Sequence, residues 1–452
     1  MTSLTTTVHA PAVSLLPRLL AGVHCDPPSL RAHLDVYGPN AIRGHRGADR
    51  PKRFIDVVER SGLTGRGGSG FPTGQKMRAV RDRRGPAVVM ANGAEGEPAS
   101  YKDRLLLTRL PHLVLDGIAL AADAVGADRA YLAVHDLDVD LIRRLQHAID
   151  QRRELRMDPV PVRVVGLPKR YVSSEQSAIV QFINGGPAKP TFSPPRPDER
   201  GVRGRPTLVN NVETLANLAL IARHGDEWFR SAGLPSAPGS MLVTLGGASA
   251  RPGVYEIEMG TSVGGMILAA GGTTEQITAV LIGGYFGTWL PARDAWPIPL
   301  THADMRAAGT RGLGAGIVLA LPNSACGLAE TARVLRYLAE ENAGQCGPCV
   351  FGLPALADAF GRLAYYGGRG DAVRRIGELL PLVEGRGACR HPDGATQLAR
   401  SALTAFANDA YWHDVRGACD CVGRPPVLPL SGDADRGWRW SEPQAVGQPD
   451  FL

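Results

Sequence analysis

The chain has 452 residues, of which 44% are hydrophobic and 21% are charged. This length and balance predict roughly two to four folded domains and exclude wholesale disorder. The formal net charge of +6 is modest, and no basic stripe or aromatic-plus-basic motif accompanies it, so no nucleic-acid partner is expected. The sequence shows neither a run of about eighteen apolar residues nor a charged-then-apolar N-terminal signal. We therefore expect a cytoplasmic protein that does not span the membrane.

Helices and strands alternate after an N-terminal extension that covers residues 1–50. The predicted helices are 54–62, 75–84 and 112–127, and the predicted strands are 86–93, 129–135 and 161–167. Strands separated by helices of about a dozen residues are typical of a mostly parallel sheet. We therefore predict an α/β domain over residues 51–235.

The composition changes near Ala232, and two further regions follow. Residues 236–322 combine short alternating runs, a Pro252-Gly253 turn, a helix and a strand at 279–287, which predicts a small α+β module. Residues 323–415 carry apolar residues at helical spacing in four segments, namely 328–342, 354–366, 371–385 and 395–412. Four such helices with short connections predict a bundle. Residues 416–452 show no period and are predicted to be an irregular tail.

A glycine-rich loop lies between the first two predicted helices. Its residues Gly65, Gly67 and Gly70 match G-x-G-x-x-G, but the segment before the loop looks helical, so it is not a Rossmann fingerprint. Glycines let backbone N–H groups approach a phosphate, and the helix that starts near Thr73 offers its positive end. Phosphate binding and a merely flexible loop are the two interpretations.

Two further segments carry polar groups at positions suited to a ligand. "ANGAEGEPASYKDR", residues 91–104, follows a strand end, where open α/β sheets bind ligands. "RPTLVNNVETLANL" begins a helix. Their candidate residues are Asn92, Glu95, Glu97 and Lys102 in the first segment, and Asn210, Asn211 and Thr214 in the second. The alternatives are a charged surface loop for the first and helix capping for the second.

Most of the seven cysteines lie late in the chain, and an odd count argues against a disulfide framework. Cys346-Gly-Pro-Cys349 has the spacing of a thioredoxin dithiol, but it follows a long helix instead of a strand, so that context fails. Zinc is possible, but the spacing does not require it, because a zinc site would use four ligands in paired clusters and Cys389 stands alone about forty residues later. The tail pair Cys419 and Cys421 could fold back toward these residues, although such a pair is more often two ordinary thiols.

Five segments together carry a resemblance to a known family. They are "GLTGRGGSGFPTGQKM", "ANGAEGEPASYKDR", "YVSSEQSAI", "GRPTLVNNVETLAN" and "QCGPC". In this order they resemble the FMN- and NADH-binding flavoprotein subunit of respiratory complex I and the related diaphorase subunits of NAD-linked hydrogenases and formate dehydrogenases. The resemblance covers about residues 50–410. It implies a Rossmann-like FMN-binding domain, a ubiquitin-like β-grasp (SLBB) domain and a C-terminal four-helix iron–sulfur bundle.

The resemblance also implies cofactors and their residues. FMN would be bound by Gly65, Arg66, Gly67, Lys76, Asn92, Glu95, Asn210, Asn211 and Thr214. NADH, as the substrate, would lie near Phe71, Glu97 and Glu175, with the two glutamates as candidate catalytic residues. The cluster pattern is C-x2-C-x2-C followed by a distant cysteine, and Cys346, Cys349 and Cys389 match its last three positions.

The first position of that pattern is Ala343, so three thiolates stand where a [4Fe–4S] cluster uses four. We expect a [4Fe–4S] cluster with a non-cysteine ligand, such as water, Glu341 or His391. A [3Fe–4S] cluster and an empty site are the alternatives. The remaining departures from the family pattern are Gln176 for a glutamate, Ala94 for an aspartate, Ser193 for a basic residue and Arg196 for a phenylalanine. Fewer acidic groups would raise the flavin potential, and the loss at Ser193 predicts weak NADH binding.

The sequence thus predicts an FMN- and iron–sulfur-containing oxidoreductase of the NADH dehydrogenase (diaphorase) type. It would pass electrons from NAD(P)H through FMN to the cluster and then to a partner, either a small ferredoxin or a thioredoxin-fold [2Fe–2S] protein. Two other interpretations stay open. One is a flavin and iron–sulfur relay without its own NADH oxidation, and the other is a non-catalytic assembly scaffold.

Overall fold

The computed structural model describes residues 16–25, 28–39, 50–367, 370–431 and 438–440. The first region contains helices α1 (Leu30–Tyr37), α2 (Arg50–Ser61), α3 (Thr73–Arg81), α4 (Lys102–Arg109), α5 (Pro111–Val125), α6 (Val139–Glu154), α7 (Gln176–Ile183), α8 (Pro197–Arg200) and α9 (Val212–Arg230). Its strands are β1 (Ala87–Asn92), β2 (Ala127–His135), β3 (Val162–Leu167) and β4 (Thr207–Asn211).

These four strands form one parallel sheet in the order β3-β2-β1-β4. Strand β1 is apolar and buried up to its last residue, as expected for a strand covered by helices on both faces. Strands β2 and β3, which follow β1 in the chain, lie on one side of β1, and β4 lies on the other side. The direction in which strands are added to the sheet therefore reverses at β1. Asn92 and Asn211 lie opposite each other at the carboxyl ends of β1 and β4. This switch point is where α/β sheets bind ligands, and the predicted Rossmann-like architecture is confirmed.

Helices α5 and α9 pack so closely that one position requires glycine. A Cβ atom added to Gly117 in α5 would lie 1.9 Å from the carbonyl oxygen of Leu215 in α9. Gly126, with φ of 69°, ends α5 in the left-handed conformation that glycine tolerates. Asn211 begins α9, because its side chain accepts the N–H of Glu213.

The second region is built around a mixed five-stranded sheet. It contains β5 (Gly233–Leu234), β6 (Ala237–Pro238), β7 (Ser240–Gly247), β8 (Gly253–Glu258), β9 (Ile277–Ile282), β10 (Thr288–Pro291) and β11 (Ile317–Pro322), with helices α10 (Val263–Ala269), α11 (Ala292–Ala295) and α12 (His302–Ala307). The sheet order is β10-β9-β11-β7-β8. The central pair β11 and β7 is parallel and the other pairs are antiparallel, which is the predicted β-grasp arrangement.

The two faces of this sheet contribute to different cores. Val280 and Ile282 pack in the core that includes α10, whereas Leu281 packs in the core shared with the C-terminal helices. The prediction that this strand runs to residue 287 is wrong. Strand β9 ends at Ile282, and Gly283 and Gly284, with φ of 95° and 86°, turn the chain into the antiparallel strand β10.

The third region is helical. It contains α13 (Gly327–Glu340), a π-helical turn (Pro348–Gly352), α14 (Leu353–Tyr365), α15 (Ala372–Val383), α16 (His391–Ala405) and α17 (Ala407–Arg416). Helices α13 to α16 pack around one core and form the predicted four-helix bundle. The prediction of a single helix over 395–412 is wrong, because Phe406 leaves helical geometry with ψ of 34° and its buried ring joins the core.

Part of the predicted irregular tail is ordered. Leu430–Ser431 (β12) pairs with Arg439–Trp440 (β13), and Leu428 and Leu430 are buried against the bundle. As for membrane spans, no single helix in the described part of the chain has the length and apolar character to cross a bilayer. Helices α4 and α5 pass that test only as a pair bent by 97°.

Candidate functional site

A cavity of about 740 Å³ lies where the three regions meet. The first sheet contributes the carboxyl ends of β1 and β4, the β-grasp domain contributes the loop after β9, and the bundle contributes the start of α16. The predicted site residues that line it are Gly65, Gly67, Lys76, Asn92, Glu95, Glu97, Glu175, Asn210, Asn211, Thr214 and Cys389. Residues from four of the five family segments, together with Cys389, therefore share one space.

The glycine-rich loop forms one wall of this cavity. The N–H of Gly65 donates to the carbonyl of Phe71 at 2.9 Å, which closes the loop. Gly67 lies so close to β4 that a Cβ atom there would be 3.2 Å from the Cβ of Asn211. Gly68 has φ of 106°, a conformation that side-chain-bearing residues rarely adopt. The loop thus presents backbone, not side chains, to the cavity.

Two predicted residues of this loop are not brought into the cavity. The Arg66 guanidinium donates to the Ser240 carbonyl at 3.0 Å and to Thr64 Oγ1 at 3.1 Å, so it holds the loop against the β-grasp domain. Its backbone N–H donates to Thr214 Oγ1 at 2.9 Å. The Phe71 side chain is 47% exposed and is not part of the cavity wall. Arg66 therefore positions the loop.

Lys76 and Asn210 offer hydrogen-bond donors at the cavity. Lys76 Nζ donates to the carbonyl of Val209 at 2.5 Å, its one hydrogen-bond partner among the described residues, and burial lowers the pKa of this ammonium to about 8. Asn210 Nδ2 is buried and has no hydrogen-bond partner in the described part of the chain. A buried donor without a partner is costly, and the Lys76 ammonium has three N–H groups but donates one of them to Val209. Both groups therefore favour a ligand rich in acceptor atoms, as FMN is.

Glu95 and Asn211 are held by the protein itself. The Glu95 carboxylate accepts the N–H groups of Asp103 at 3.2 Å and Arg104 at 3.1 Å, so it caps α4. Asn211 caps α9 and donates through Nδ2 to Asp103 at 2.6 Å. Lys102 bridges to Asp103 at 2.7 Å and to Glu213 at 3.0 Å. This buried charge network was not predicted, since its two halves, residues 95–104 and residues 211–213, lie about a hundred residues apart in the chain.

Glu97 is held by two tyrosines at the boundary with the β-grasp domain. The Tyr171 hydroxyl donates to Glu97 Oε2 at 3.0 Å, and the backbone N–H of Tyr285 donates to the same oxygen at 2.8 Å. Burial raises the pKa of Glu97 to about 7, and burial raises the pKa of Glu95 to about 7 as well. Tyr171 lies in a short 3-10 turn at the start of the family segment "YVSSEQSAI", but it was not among the predicted site residues.

Glu175 is the N-cap of α7. Its carboxylate accepts the N–H groups of Ser177 at 2.8 Å and Ala178 at 3.2 Å. The neighbouring Gln176, which stands where the family has a second glutamate, is exposed. Glu175 therefore reaches the cavity with its carboxylate already hydrogen-bonded to a helix terminus.

The three predicted cluster cysteines are neighbours. Burial, followed by the neighbouring Cys346 and Cys389, raises the pKa of the Cys349 thiol to about 11. Burial also raises the pKa of Cys389, to which Glu175 and Cys346 contribute. Cys349 is buried and lies in the π-helical turn, whereas Cys346 and Cys389 are half-buried. Ala343 is buried at the missing position, and its backbone lies near enough to the Cys349 thiol to lower the pKa of that thiol. Three soft thiol donors thus converge, which fits three corners of an iron–sulfur cluster.

Of the side chains predicted as fourth ligand, Glu341 is engaged elsewhere. Its carboxylate accepts from Arg170 Nε at 2.8 Å and from the N–H of Tyr171 at 3.0 Å. His391 is buried, and its Nε2 lies 2.8 Å from the carbonyl of Leu338. Its Nδ1 has no hydrogen-bond partner within the described ranges. His391 is therefore the better candidate of the two.

Comparisons with known proteins agree with this geometry. Residues 58–220 match the model of the Nuo51 FMN-binding domain, and residues 324–413 match that of the NADH-ubiquinone oxidoreductase-F iron-sulfur binding region. The F 2 subunit of NADH-quinone oxidoreductase in Rhizobium meliloti is 31% identical over 395 residues, which cover 84% of this chain and 93% of that protein. The F subunit of the same enzyme in Aquifex aeolicus is 31% identical over 81% of this chain and 86% of its own length.

A solved structure shows the same fold. The matching chain of an NAD+-reducing [NiFe]-hydrogenase in the H2-reduced state superposes with a TM-score of 0.77 at 30% identity, covering 86% of this chain and 66% of the hydrogenase chain. The resemblance noted from the motifs is confirmed. The chain belongs to the family of NADH-quinone oxidoreductase F subunits, NADH dehydrogenase-type proteins that carry an FMN-binding domain and a 4Fe–4S-binding region.

Proposed function

We propose that this chain oxidises NADH with FMN in the cavity and passes the electrons to an iron–sulfur cluster held by Cys346, Cys349 and Cys389. One observation carries the proposal: Cys389 lines the same cavity as Lys76 and Asn210. A thiol of the cluster pattern and the donors of the flavin pattern therefore border one space. Its volume of about 740 Å³ lies in the usual range of cofactor sites.

FMN fits the residues of this cavity. We assign the backbone of Gly65 and Gly67 together with Lys76 to its phosphate and ring. We assign the Asn210 amide, which has no hydrogen-bond partner in the described ranges, to one of its acceptor atoms. When bound, FMN supplies the conversion between a transferred hydride and single electrons. Asn92, Glu95, Asn211 and Thr214 complete the wall. Their hydrogen bonds to backbone and to one another fix the shape of the site before any ligand enters.

Glu97 and Glu175 are the residues that we assign to the nicotinamide end. Because the pKa of Glu97 is about 7, its carboxyl group can hold or release a proton near neutral pH. The Tyr171 hydroxyl and the Tyr285 N–H fix its orientation. Glu175 is fixed by its capping role. Arg311 and Arg390 also line the cavity and bring positive charge to it.

We propose that the cluster is [4Fe–4S] and has a non-cysteine fourth ligand. Of the two candidate side chains, His391 has a ring nitrogen without a hydrogen-bond partner among the residues that the structure describes, and it follows Cys389 by two residues, whereas Glu341 is paired with Arg170. Three thiolates also suffice for a [3Fe–4S] cluster. Electron paramagnetic resonance of oxidised and reduced protein distinguishes the two, and His391→Ala is expected to change the spectrum only if the imidazole is the ligand.

Anaerobic reduction by NADH tests the function directly. NADH should bleach the flavin absorbance in a stopped-flow experiment, more slowly than in relatives that keep the basic residue at position 193. Glu97→Gln should slow the bleaching while FMN content is unchanged. No bleaching by millimolar NADH or NADPH, in protein that contains FMN, would contradict NADH oxidation.

A relay of electrons without NADH oxidation is the second candidate function. Three observations favour it: Ser193 replaces a basic residue, Gln176 replaces an acidic one, and Phe71 lies outside the cavity. In that case FMN and iron would both be present, but only a reduced partner protein would bleach the flavin. The scaffold interpretation instead requires protein without flavin.

We also infer an electron acceptor and a location for this chain. Val350 and Phe351, directly after Cys349, are 49% and 74% exposed, which suits an apolar contact beside the cluster. A small ferredoxin or thioredoxin-fold [2Fe–2S] protein is the proposed partner there, and the cytoplasm is the proposed compartment. The division into functional units at 51–235, 236–322 and 323–415, with a tail from 416, is part of the same proposal.

A further inference from the structure

A second group of metal-binding side chains lies in the bundle, apart from the three cysteines of the cluster pattern. Cys326 Sγ is 3.8 Å from His413 Nε2, and together with Cys419 Sγ these donor atoms all lie within 4.8 Å of one another. Among the residues that the structure describes, this is the one group of three or more histidine, cysteine or acidic side chains whose ligand atoms all lie within 4.8 Å of one another. Cys326 and His413 are buried, and Cys419 is exposed.

The imidazole of His413 is oriented as a ligand. Its Nδ1 lies 3.1 Å from the carbonyl of Ala364 and 3.3 Å from that of Leu363, and a carbonyl can only accept. Nδ1 therefore carries the hydrogen, and Nε2 presents its lone pair to the two sulfurs. A ligand histidine whose other nitrogen donates to a backbone carbonyl is the usual arrangement around protein-bound metals. The N–H of Cys419, at 3.3 Å from Nε2, is a long contact that a metal ion would replace.

The spacing of the donors suits a tetrahedral ion. With Zn–S of about 2.3 Å and Zn–N of about 2.0 Å, a sulfur and a nitrogen ligand at the tetrahedral angle are separated by about 3.5 Å. The 3.8 Å between Cys326 Sγ and His413 Nε2 is close to that value. Two thiolates and an imidazole are a donor set that selects zinc over hard cations such as magnesium.

We propose that Cys326, His413 and Cys419 form a zinc site with a solvent molecule in the fourth position. The exposure of Cys419 leaves one side of the group open to water, and a site with three protein ligands keeps such an open position. The proposal concerns a different site from that of the flavin and the iron–sulfur cluster and does not depend on either.

The place of the three residues in the fold indicates what the ion would do. Cys326 is the residue before α13, His413 lies in α17, and Cys419 begins the segment that follows α17. That segment returns along α13, where Glu330 accepts the N–H groups of Val427 at 3.1 Å and Leu428 at 3.0 Å. The ion would therefore fasten the returning segment to the start of α13 and to α17.

Metal analysis of the full chain tests the proposal. Protein reconstituted anaerobically with zinc sulfate and then desalted should contain about one zinc ion per chain by mass spectrometry. His413→Gln and the exposed Cys419→Ser should each lower zinc affinity by about tenfold or more. Cys25→Ser removes a thiol elsewhere in the chain and should leave the zinc content unchanged. Unchanged FMN and iron contents in the variants would show that the fold is intact.

Cobalt gives a second readout. Co2+ bound in place of zinc should show thiolate-to-cobalt absorption bands in the wild type, and these bands should weaken in Cys419→Ser. The proposal is overturned if reconstituted wild type binds no zinc, or if both variants bind it as tightly as the wild type. A Cys326–Cys419 disulfide, found by alkylation and mass spectrometry of anaerobically purified protein, would also overturn it.

Discussion

The flavin cavity and the cysteine corner of the bundle are organised in different ways. In the cavity, Glu95, Glu175 and Asn211 cap three helices, so the fold itself holds them in place. At the corner, Cys346, Cys349 and Cys389 lie near one another, Cys389 also lies near Glu175, and one family position is an alanine. The cavity can therefore keep its shape without its cofactor, whereas the corner depends on the metal that it binds.

Removing a cluster ligand should have the largest effect, and it should change the iron content of the cysteine corner without changing the FMN content of the cavity. Cys349→Ser takes away the buried thiol of the corner, leaving two soft donors, so bound iron should fall below about a tenth of the wild-type value. FMN content should be unchanged, because no cavity contact is lost. Cys419→Ser is the matched control and should keep its iron. Loss of FMN together with iron in Cys349→Ser would show that the two ends are not independent.

Lys76 tests the cavity in the same way. Lys76→Met removes a buried ammonium that we assign to FMN, and hydrogen bonds to charged groups are worth about 1.5–3 kcal/mol. The dissociation constant for FMN should therefore rise roughly 10- to 100-fold, while iron content stays the same. Lys52→Met, an exposed lysine on α2, is the control. An FMN affinity equal to that of the wild type would remove Lys76 from the site.

Restoring the missing cysteine should make the cluster more stable in air, because a thiolate would replace the non-cysteine fourth ligand. Ala343→Cys places a fourth thiol beside Cys349, and the lifetime of the cluster in air should lengthen by roughly tenfold, the scale on which ligand changes alter metal sites. Ala343→Ser has a similar size but a hard oxygen donor and should give little protection. The decay of cluster absorbance after exposure to air measures both. Equal lifetimes for the wild type and Ala343→Cys would mean that position 343 does not face the cluster.

The smallest predicted effect is a pH dependence of stability in the cofactor-free protein. The pKa of Glu97 is about 7 in the folded state against 4.5 as its ordinary value, so the folded state binds more protons between these two pH values. The free energy of unfolding should therefore fall as pH rises from 4.5 to 7, by at most about 1.4 kcal/mol per pH unit for this group. Glu95 contributes in the same direction.

Chemical denaturation of wild type and Glu97→Gln across that pH range checks this slope. The variant cannot titrate at position 97, so its unfolding free energy should depend less steeply on pH. Glu154→Gln, at an exposed position near the end of α6, should keep the wild-type slope. The same slope in Glu97→Gln as in the wild type would assign the pH dependence to other groups.

Much of the fold and of the cavity could be predicted because the relevant signals are local. Asn211 has the sequence context of both a helix cap and a ligand contact, and the structure shows the cap at the cavity wall. The glycines around Gly67 indicate a close backbone approach. The break at Phe406 could not be read from helical periodicity, since the apolar pattern continues through it. The π-helical turn at Cys349 likewise has no signature in the periodicity.

What the sequence did not predict depends on contacts between distant segments. The ion pair of Lys102 with Glu213 joins residues 111 positions apart, and Cys326 and His413 are 87 apart. Arg66 matched a family motif, but its guanidinium donates to the Ser240 carbonyl of the β-grasp domain and does not line the cavity. Such partners are chosen by packing between domains, which a single sequence does not encode locally.

Quantification of flavin and iron in anaerobically purified protein would show whether this chain carries both a flavin and a cluster. We expect about one FMN per chain and roughly three to four iron atoms per chain in the same preparation, as for one flavin and one cluster. The absorbance spectrum should show both the flavin and the cluster. Protein that binds neither FMN nor iron after anaerobic reconstitution would contradict this assignment.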